Sequence, residues 1–465
     1  MKIARPFTLF CLLLLPGLGC QTQASQPVQF CQDVTLPAPV PGAERVSVWV
    51  QSARWHCWRA YLPALAAEAN DLPVSVETKA QNTEVDFFWT DLMAAAEAGS
   101  GPDITIQTGS LEQWVEAGHL APLDECLARH AAFDQIPESL WSTAVVDEQT
   151  YGVPLDVHLY LLFFNKSLLK EVGWSDAQIA ALPQQIAAGH FTLFDLLDVA
   201  QQAVAQGVIE PGFGYWSELT QSIEIQSLYL AFSERMDVSA ENRLVINQRH
   251  LRETYDFVQR LARSPVARRL FPAVTESTWS NQLVRHDAIA EGRVLFWHDF
   301  TLDTTNLWYD FPKTAGRMFE HFGVAPRPSA ISGAPGTIRI NPTFYVVTSE
   351  SASGRRQQSA ACNVLAATVN PELNARQAKA VMGLGTIRNQ VAHAAFADHP
   401  LAHLAAPLLE NSRIVHLKPT QAAYLQTLAR FAQAAEADRL SPEAAAAQAV
   451  AEVARIYGDM LIVER

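Results

Sequence analysis

LMAAAEAGSGPDITIQTGSLEQWVEAGHLAPLD, residues 92–124, carries the pattern on which the fold rests. Thr90 is placed to cap a helix over residues 91–98, and Gly99 to end it. Residues 103–106 read as a strand, and Ser110 with Gln113 forms a capping box for a second helix ending near Gly118. Upstream, 45–50 is a short β-rich run, 55–67 has helical apolar spacing interrupted by Pro63, and 74–77 alternates like a strand. Strand and helix therefore alternate three times, which predicts an α/β fold with a parallel sheet covered by helices. The pattern resumes with strands at 160–164, 294–297 and 344–347 and a helix opened by Thr192 and Asp195 that ends at Gly207. From about residue 353 the chain reads as almost wholly helical, and Ser441-Pro442-Glu443 is a start signal for a final helix. There is no internal repeat.

The composition bounds the class. The chain has 465 residues, 49% hydrophobic and 18% charged, which is globular rather than disordered and too long for one simple core. A formal charge of -14 argues against nucleic acid or an anionic membrane surface as the main partner. Lys2 and Arg5 precede an apolar stretch, 7–15, that is too short to span a bilayer and reads as a secretory leader. Cys20 directly after Gly19 resembles a bacterial lipobox, so residues 1–19 are read as a signal peptide and Cys20 as the lipid attachment site. Thr22-Gln23-Ala24 is the competing cut, which would release a free secreted form. Either cut places the mature chain outside the cytoplasm, in the periplasm or at the cell surface. Residues 20–44, rich in Gln, Pro, Ser and Ala, read as a tether and lead-in. Beyond the leader and Cys20 stand Cys31, Cys57, Cys126 and Cys362, an even set that allows two disulfides in an oxidising compartment. Spacing does not fix their pairing, and Cys362, in an apolar helical run, is read equally well as a buried thiol. No Cys/His spacing suggests zinc, and no cofactor or metal is expected.

Several segments in order resemble the maltose-binding-protein-like family of extracellular solute-binding proteins. The carriers are Ala98-Gly99, Pro102-Asp103, Gly118, Leu120 and Pro122-Leu123-Asp124, then YGVPLDVHLYLLFFNKSLLKEVGW at 151–174, FTLFDLLDVAQQAVAQG at 191–207, AIAEGRVLFWHD at 288–299 and SPEAAAAQA at 441–449. Together they span roughly 45–455. The resemblance implies a two-lobed periplasmic-binding-protein fold with a hinge and an interlobe cleft. It divides the chain into lobe 1 at 45–155 plus 328–385 and lobe 2 at 156–327 plus 386–465, with crossings near 155–158 and 326–329. It further implies a small-molecule solute, carbohydrate or a related polar compound, delivered to ABC permease subunits. The chain departs from the family at Arg339-Ile340-Asn341-Pro342, where a Gly pair is usual, and at Gly385-Thr386-Ile387-Arg388, where a Pro is usual.

A sugar offers hydroxyls at its edges and C–H groups on its faces, so its site needs planar hydrogen-bonding groups and aromatic platforms. Arg54 and Trp55 after the first strand, Tyr215 and Trp216 in a Gly-rich loop, and Trp297 with Asp299 after a later strand are candidates. Each Trp has core packing as its alternative. Gln107 and Thr108 precede a helix N-terminus whose N–H groups can hold a ligand oxygen, unless Ser110 satisfies them. Asp156 and His158, on the first crossing, face either ligand or hinge. Arg339 and Asn341 replace the Gly pair and offer fork-like contacts; if Arg54, Arg339 and Arg388 converge, an anionic ligand is favoured. No GxSxG, HExxH, GxxxxGK[ST] or GxGxxG is present, so nothing points to catalysis. A secreted glycan-acting hydrolase and a ligand-presenting sensor subunit remain the alternatives.

Overall fold

The computed structural model describes residues 34–464 except 52–56, 82–84, 109–110, 218–220, 234–242, 268–277, 302–306, 309–310, 312, 315, 398 and 417–421. The leader, Cys20 and Cys31 lie outside the described residues. One sheet organises the chain. Its strands are β1 (Glu44–Gln51), β2 (Val74–Gln81), β3 (Ile104–Thr108), β4 (Gly152–Asn165), β5 (Tyr215–Trp216), β6 (Phe296–Phe300), β7 (Phe322–Ala325), β8 (Thr337–Val347), β9 (Leu384–Gly385) and β10 (Arg413–His416). The order is β2-β1-β3-β8-β4-β6-β5, with β7 and β9 also paired to β4 and β10 to β8.

The sheet is mixed, where the sequence pattern predicts a parallel one. β1 runs parallel to β2 and β3, β6 to β5, and β8 to β10. β8 is antiparallel to β3 and β4, and β4 is antiparallel to β6. The reason is the length of β4 and β8, each of which changes partners partway. β4 pairs with β8 up to His158, opposite Asn341, and with β6 from Tyr160, opposite Phe300. β8 pairs with β10 over 337–340 and with β4 and β3 beyond. All fourteen residues of β4 are buried, so it shows none of the alternation that marks a half-exposed strand. The register slips at Thr343/Phe344, where Pro154, which has no N–H to give, enters the ladder.

Local signals set many of the helices. Asn165 accepts from the N–H groups of Ser167 and Leu168 to start the helix Lys166–Val172, and Gly173 ends it at φ 110°. Thr192 and Asp195 form the expected capping box, and Ser441 caps the final helix, Pro442–Tyr457. Three expectations move. The helix expected from residue 91 runs from Val85 to Glu97, because Phe88, Leu92 and Ala96, spaced four apart, form a stripe buried against Trp114, Leu120 and Phe344. Pro63 lies inside the helix Cys57–Ala69 rather than breaking it. The strand expected over 294–297 spans Phe296–Phe300, extended by its pairing with β4.

Cys126 and Cys362 are joined, Cα–Cα 5.8 Å, across 236 residues of sequence. The alternative of a buried thiol at Cys362 is thereby excluded. Cys57 is also disulfide-bonded. The Cys126–Cys362 bond fastens the short helix Asp124–Arg129 to the helix Gln358–Thr368, segments from either side of the long middle of the chain. Among the described residues no helix is long and apolar enough to cross a membrane.

The chain-entropy account of a cross-link closing so long a loop assigns it about 5 kcal/mol. Replacing both Cys126 and Cys362 by Ala is therefore expected to lower the melting temperature by about 10 °C, measured by calorimetry, while far-ultraviolet dichroism at 20 °C is retained.

Candidate functional site

The site is built around the point where β4 changes partners. Asp156 and His158 lie on the same face of β4 and are both fully buried. Arg59, from the helix Cys57–Ala69, meets Asp156 with a two-pronged ion pair: Nε donates to Oδ2 at 2.9 Å and Nη2 to Oδ1 at 2.8 Å. Gln377 Nε2 donates to Asp156 Oδ2 at 2.7 Å. His158 Nε2 lies 2.9 Å from Arg59 Nη2, and its Nδ1 lies 3.2 Å from Thr301 Oγ1. Burial pushes the Asp156 carboxyl up, but Arg59 and His158 outweigh it and hold the group well below the usual carboxylate range. Burial drives the His158 imidazole below its ordinary value, against the pull of Asp156.

A second buried cluster lies further along the same sheet. Arg327 donates from Nη2 to Glu224 Oε1 at 2.6 Å, from Nη1 to Glu224 Oε2 at 2.9 Å, and from Nη2 to the Tyr215 hydroxyl at 2.8 Å. His298 Nδ1 is 3.2 Å from Glu224 Oε2. Burial opposes ionisation of Glu224, yet Arg327 and the His298 hydrogen bond hold it far below its ordinary value. Burial, then Arg327, pushes His298 down to about 4. Beside this cluster, Arg285 Nη1 donates to Asp299 Oδ1 at 3.1 Å, and Asp299 Oδ2 has no hydrogen-bond partner among the described residues. Burial raises the Asp299 carboxyl above its usual value.

Tyr160 spans the gap between the two clusters. Phe300 stacks on its ring at 4.6 Å, the Arg339 guanidinium lies 4.5 Å from its centroid, and the His298 ring is 6.2 Å away. Phe300 also meets His158 edge-on at 5.1 Å. The parallel strands β1, β3, β5 and β6 all end beside segments outside the described residues: 52–56, 109–110, 218–220 and 302–306.

The sequence candidates divide accordingly. Arg54, Trp55 and Cys20 lie outside the described residues. Asp156 and His158 are fully buried and hydrogen-bonded to protein groups, Arg59, Gln377 and Thr301. Tyr215 belongs to the Arg327–Glu224 cluster. Trp297, expected after a strand, lies within β6, fully buried, stacked on Phe163 at 5.4 Å with Phe322 edge-on at 4.9 Å. Trp216 is buried against Phe213, with Nε1 donating to the Gly212 carbonyl. Both tryptophans take the packing alternative. Arg339 is 3% exposed, Asn341 is half-buried opposite His158, and Thr108 is exposed. Gln107 is 3% exposed, and its Nε2 has no hydrogen-bond partner among the described residues. Arg388 is exposed and tied to the Asp134 carbonyl, so it does not converge with the buried Arg339. Sequence reasoning missed Arg59, Glu224, Arg327 and Gln377. A lone Arg in the apolar helix CWRAYLPALAAEA and a lone Glu between Ile223 and Ile225 were the available signals. Among the described residues no group of His, Cys, Asp or Glu is arranged to hold a metal ion.

The central mixed sheet covered by helices is the α/β fold of the periplasmic-binding-protein class. Residues 64–404 match the family described as bacterial extracellular solute-binding protein, and the chain belongs to that family. It is a binding-protein family rather than an enzyme family, and its members act outside the cytoplasm. No curated protein matches the sequence. The GacH receptor of Streptomyces glaucescens, solved unliganded and with acarbose, is similar at TM-score 0.70 and 16% identity, covering 90% of this chain and 99% of that one. The sugar-binding protein MalE of Xanthomonas citri is similar at TM-score 0.67 and 19% identity, covering 89% and 97%. The cyclic alpha-maltosyl-1,6-maltose binding protein of Arthrobacter globiformis is similar at TM-score 0.65 and 19% identity, covering 89% and 99%. At these identities the likeness establishes the fold.

The buried histidines make stability depend on pH. Between pH 6.5 and about 4 the unfolded chain binds protons that native His298 refuses, so stability falls as pH falls through this window. His286, held at about 3 by burial and then by Arg285, adds to the same loss. Melting temperatures are expected to drop steadily from pH 7 to pH 4, and a His298→Gln variant to show a shallower drop over that range.

Proposed function

We propose that this protein is the extracytoplasmic solute-binding component of an ABC importer, and that it closes two lobes around a carbohydrate. The family match carries the solute-binding part. The carbohydrate part is supported by similar structures solved with acarbose, with alpha-D-tagatose and with maltose. The lobes in this proposal follow the partition 45–155 plus 328–385 and 156–327 plus 386–465, with one adjustment. The second pass lies at Ile340–Asn341, because Ser329, Gly333 and Gly336 make backbone bonds to Leu193, Gly189 and Ile186, on the second lobe. The first pass lies between His158 and Tyr160, where β4 leaves β8 for β6.

The ligand lies at the ends of β1, β3, β5 and β6, as open α/β sheets arrange it. Gln107 fits this role best among the described candidates: a buried amide at the end of β3 with an uncommitted donor suits a sugar hydroxyl. Arg54, Trp55, Thr108, Asp299, Arg339 and Asn341 are proposed around it. Arg388 does not join Arg339, which favours an uncharged sugar over an anionic one. Two disulfides fit an oxidising compartment. A lipid on Cys20 would hold the protein beside its permease.

Thermal shift and calorimetric titration against maltose, maltotriose, acarbose and tagatose test the proposal. A bound sugar is expected to raise stability by about 2.7 kcal/mol at a hundred times its dissociation constant. Gln107→Leu is expected to weaken that binding about tenfold without changing the free protein's melting temperature. No response to any sugar, or steady release of cleavage products from the oligosaccharides, would overturn it.

A further inference from the structure

The Arg59 cluster touches every pass of the chain between the proposed lobes. On β4 it holds Asp156 and His158. On β8, Arg59 Nη2 lies 3.4 Å from Thr343 Oγ1, and the Arg59 carbonyl accepts from the Tyr345 hydroxyl at 2.5 Å. The third pass, 374–386, is held by Gln377 on Asp156, by Asn374 Nδ2 on the Leu155 carbonyl at 2.8 Å, and by Thr386 Oγ1 on the Pro154 carbonyl at 3.0 Å. Gly385 pairs directly with Asp156. One guanidinium, 1% exposed, thus ties β4 and β8 to a helix of the first lobe, and Gln377 adds the third segment through Asp156.

The other side is tied differently. Beyond His158, Thr301 joins β4 to the end of β6: its Oγ1 meets His158 Nδ1 and accepts from the Leu159 N–H at 3.0 Å, its N–H donates to the Leu159 carbonyl at 2.9 Å, and the β4–β6 ladder continues from Tyr160 to Phe164. These are neutral hydrogen bonds, weaker than the charge-assisted pair at Asp156.

We infer that Arg59 is a positioning residue for lobe closure, which holds β4 and β8 to a helix of the first lobe beside the crossing and, through Asp156 and Gln377, orders the third segment with them. This rests on the two-lobe proposal above. Arg59 touches no ligand in this scheme and acts only through the relative orientation of the lobes.

Spin-label distances on the ligand-free mature protein test it. Glu97→Cys and Gln201→Cys place one exposed label on each proposed lobe, and Glu97→Cys with Ser139→Cys places both on the first lobe as a control. The disulfide-bonded cysteines take no label. In an Arg59→Met/Asp156→Asn background, which leaves no unpaired charge at this pair, the interlobe distance distribution is expected to at least double in width while the control distribution is unchanged. Gln377→Leu, which keeps the ion pair, is expected to broaden it less. An unchanged interlobe width in folded variants, even with a lower melting temperature, would show Arg59 to be a stabilising residue only and overturn the inference. Should the double variant fail to fold, Gln377→Leu and Thr343→Val decide by the same widths. If maltotriose binds the unsubstituted protein without shifting its interlobe distance, lobe closure is refuted, and the free-protein widths still decide whether Arg59 orders the crossing.

Discussion

The Arg59–Asp156 ion pair governs how this sheet is put together. β4 carries a carboxylate at a position exposed to no solvent, in a strand otherwise buried along its whole length. An isolated carboxylate there would cost several kcal/mol, so the strand can occupy the centre of the sheet only if a cation reaches it. Arg59 arrives from a helix 97 residues earlier, and Gln377 from one 221 residues later. The placement of one side chain thereby requires three distant stretches of chain to meet. Replacing such a pair by apolar residues often stabilises a protein, so its contribution here lies more in specifying the arrangement than in strengthening it.

The second cluster repeats this logic at the other end of the crossing. Arg327 follows β7, and its main chain pairs in both directions with Thr337 at the start of β8. Its side chain reaches Glu224 on the helix Gln221–Phe232 and the hydroxyl of Tyr215 on β5. Between the clusters lies an aromatic plate, Tyr160 with Phe300, carrying Arg339. The middle of the sheet is thus polar and ordered at both rims and aromatic in between. Opening either rim would expose an unpaired buried charge, which costs far more than rotating a stacked ring.

Much of this was legible in the sequence, and the rest was not for definite reasons. Capping residues such as Thr192 with Asp195 and Ser441 before Pro442 act over three or four positions, so they can be read locally, and the structure keeps them. Alternation of strand and helix is likewise local and gave the α/β class. The sheet's mixed direction was hidden, because it depends on β4 and β8 each running past one set of neighbours into another. Arg59 and Arg327 were hidden for a similar reason: their carboxylate partners are about a hundred residues away, and an Arg such as Arg59 in an apolar helix looks like a surface residue until its carboxylate is found. Trp216 and Trp297 illustrate the opposite difficulty. A tryptophan after a presumed strand suits a platform or a core equally, and only the extension of β6 to Phe300 put Trp297 among Phe163 and Phe322.

The Cys126–Cys362 bond has a consequence for biogenesis. Its two halves are separated by 236 residues of sequence, so Cys126 is synthesised long before its partner. Until Cys362 is made, the earlier thiol can only stay reduced or pair with another cysteine that precedes it, such as Cys31 or Cys57. A chain cut short before position 362 therefore has no native partner for Cys126, and the bond reports that both ends of the chain have been made and brought together.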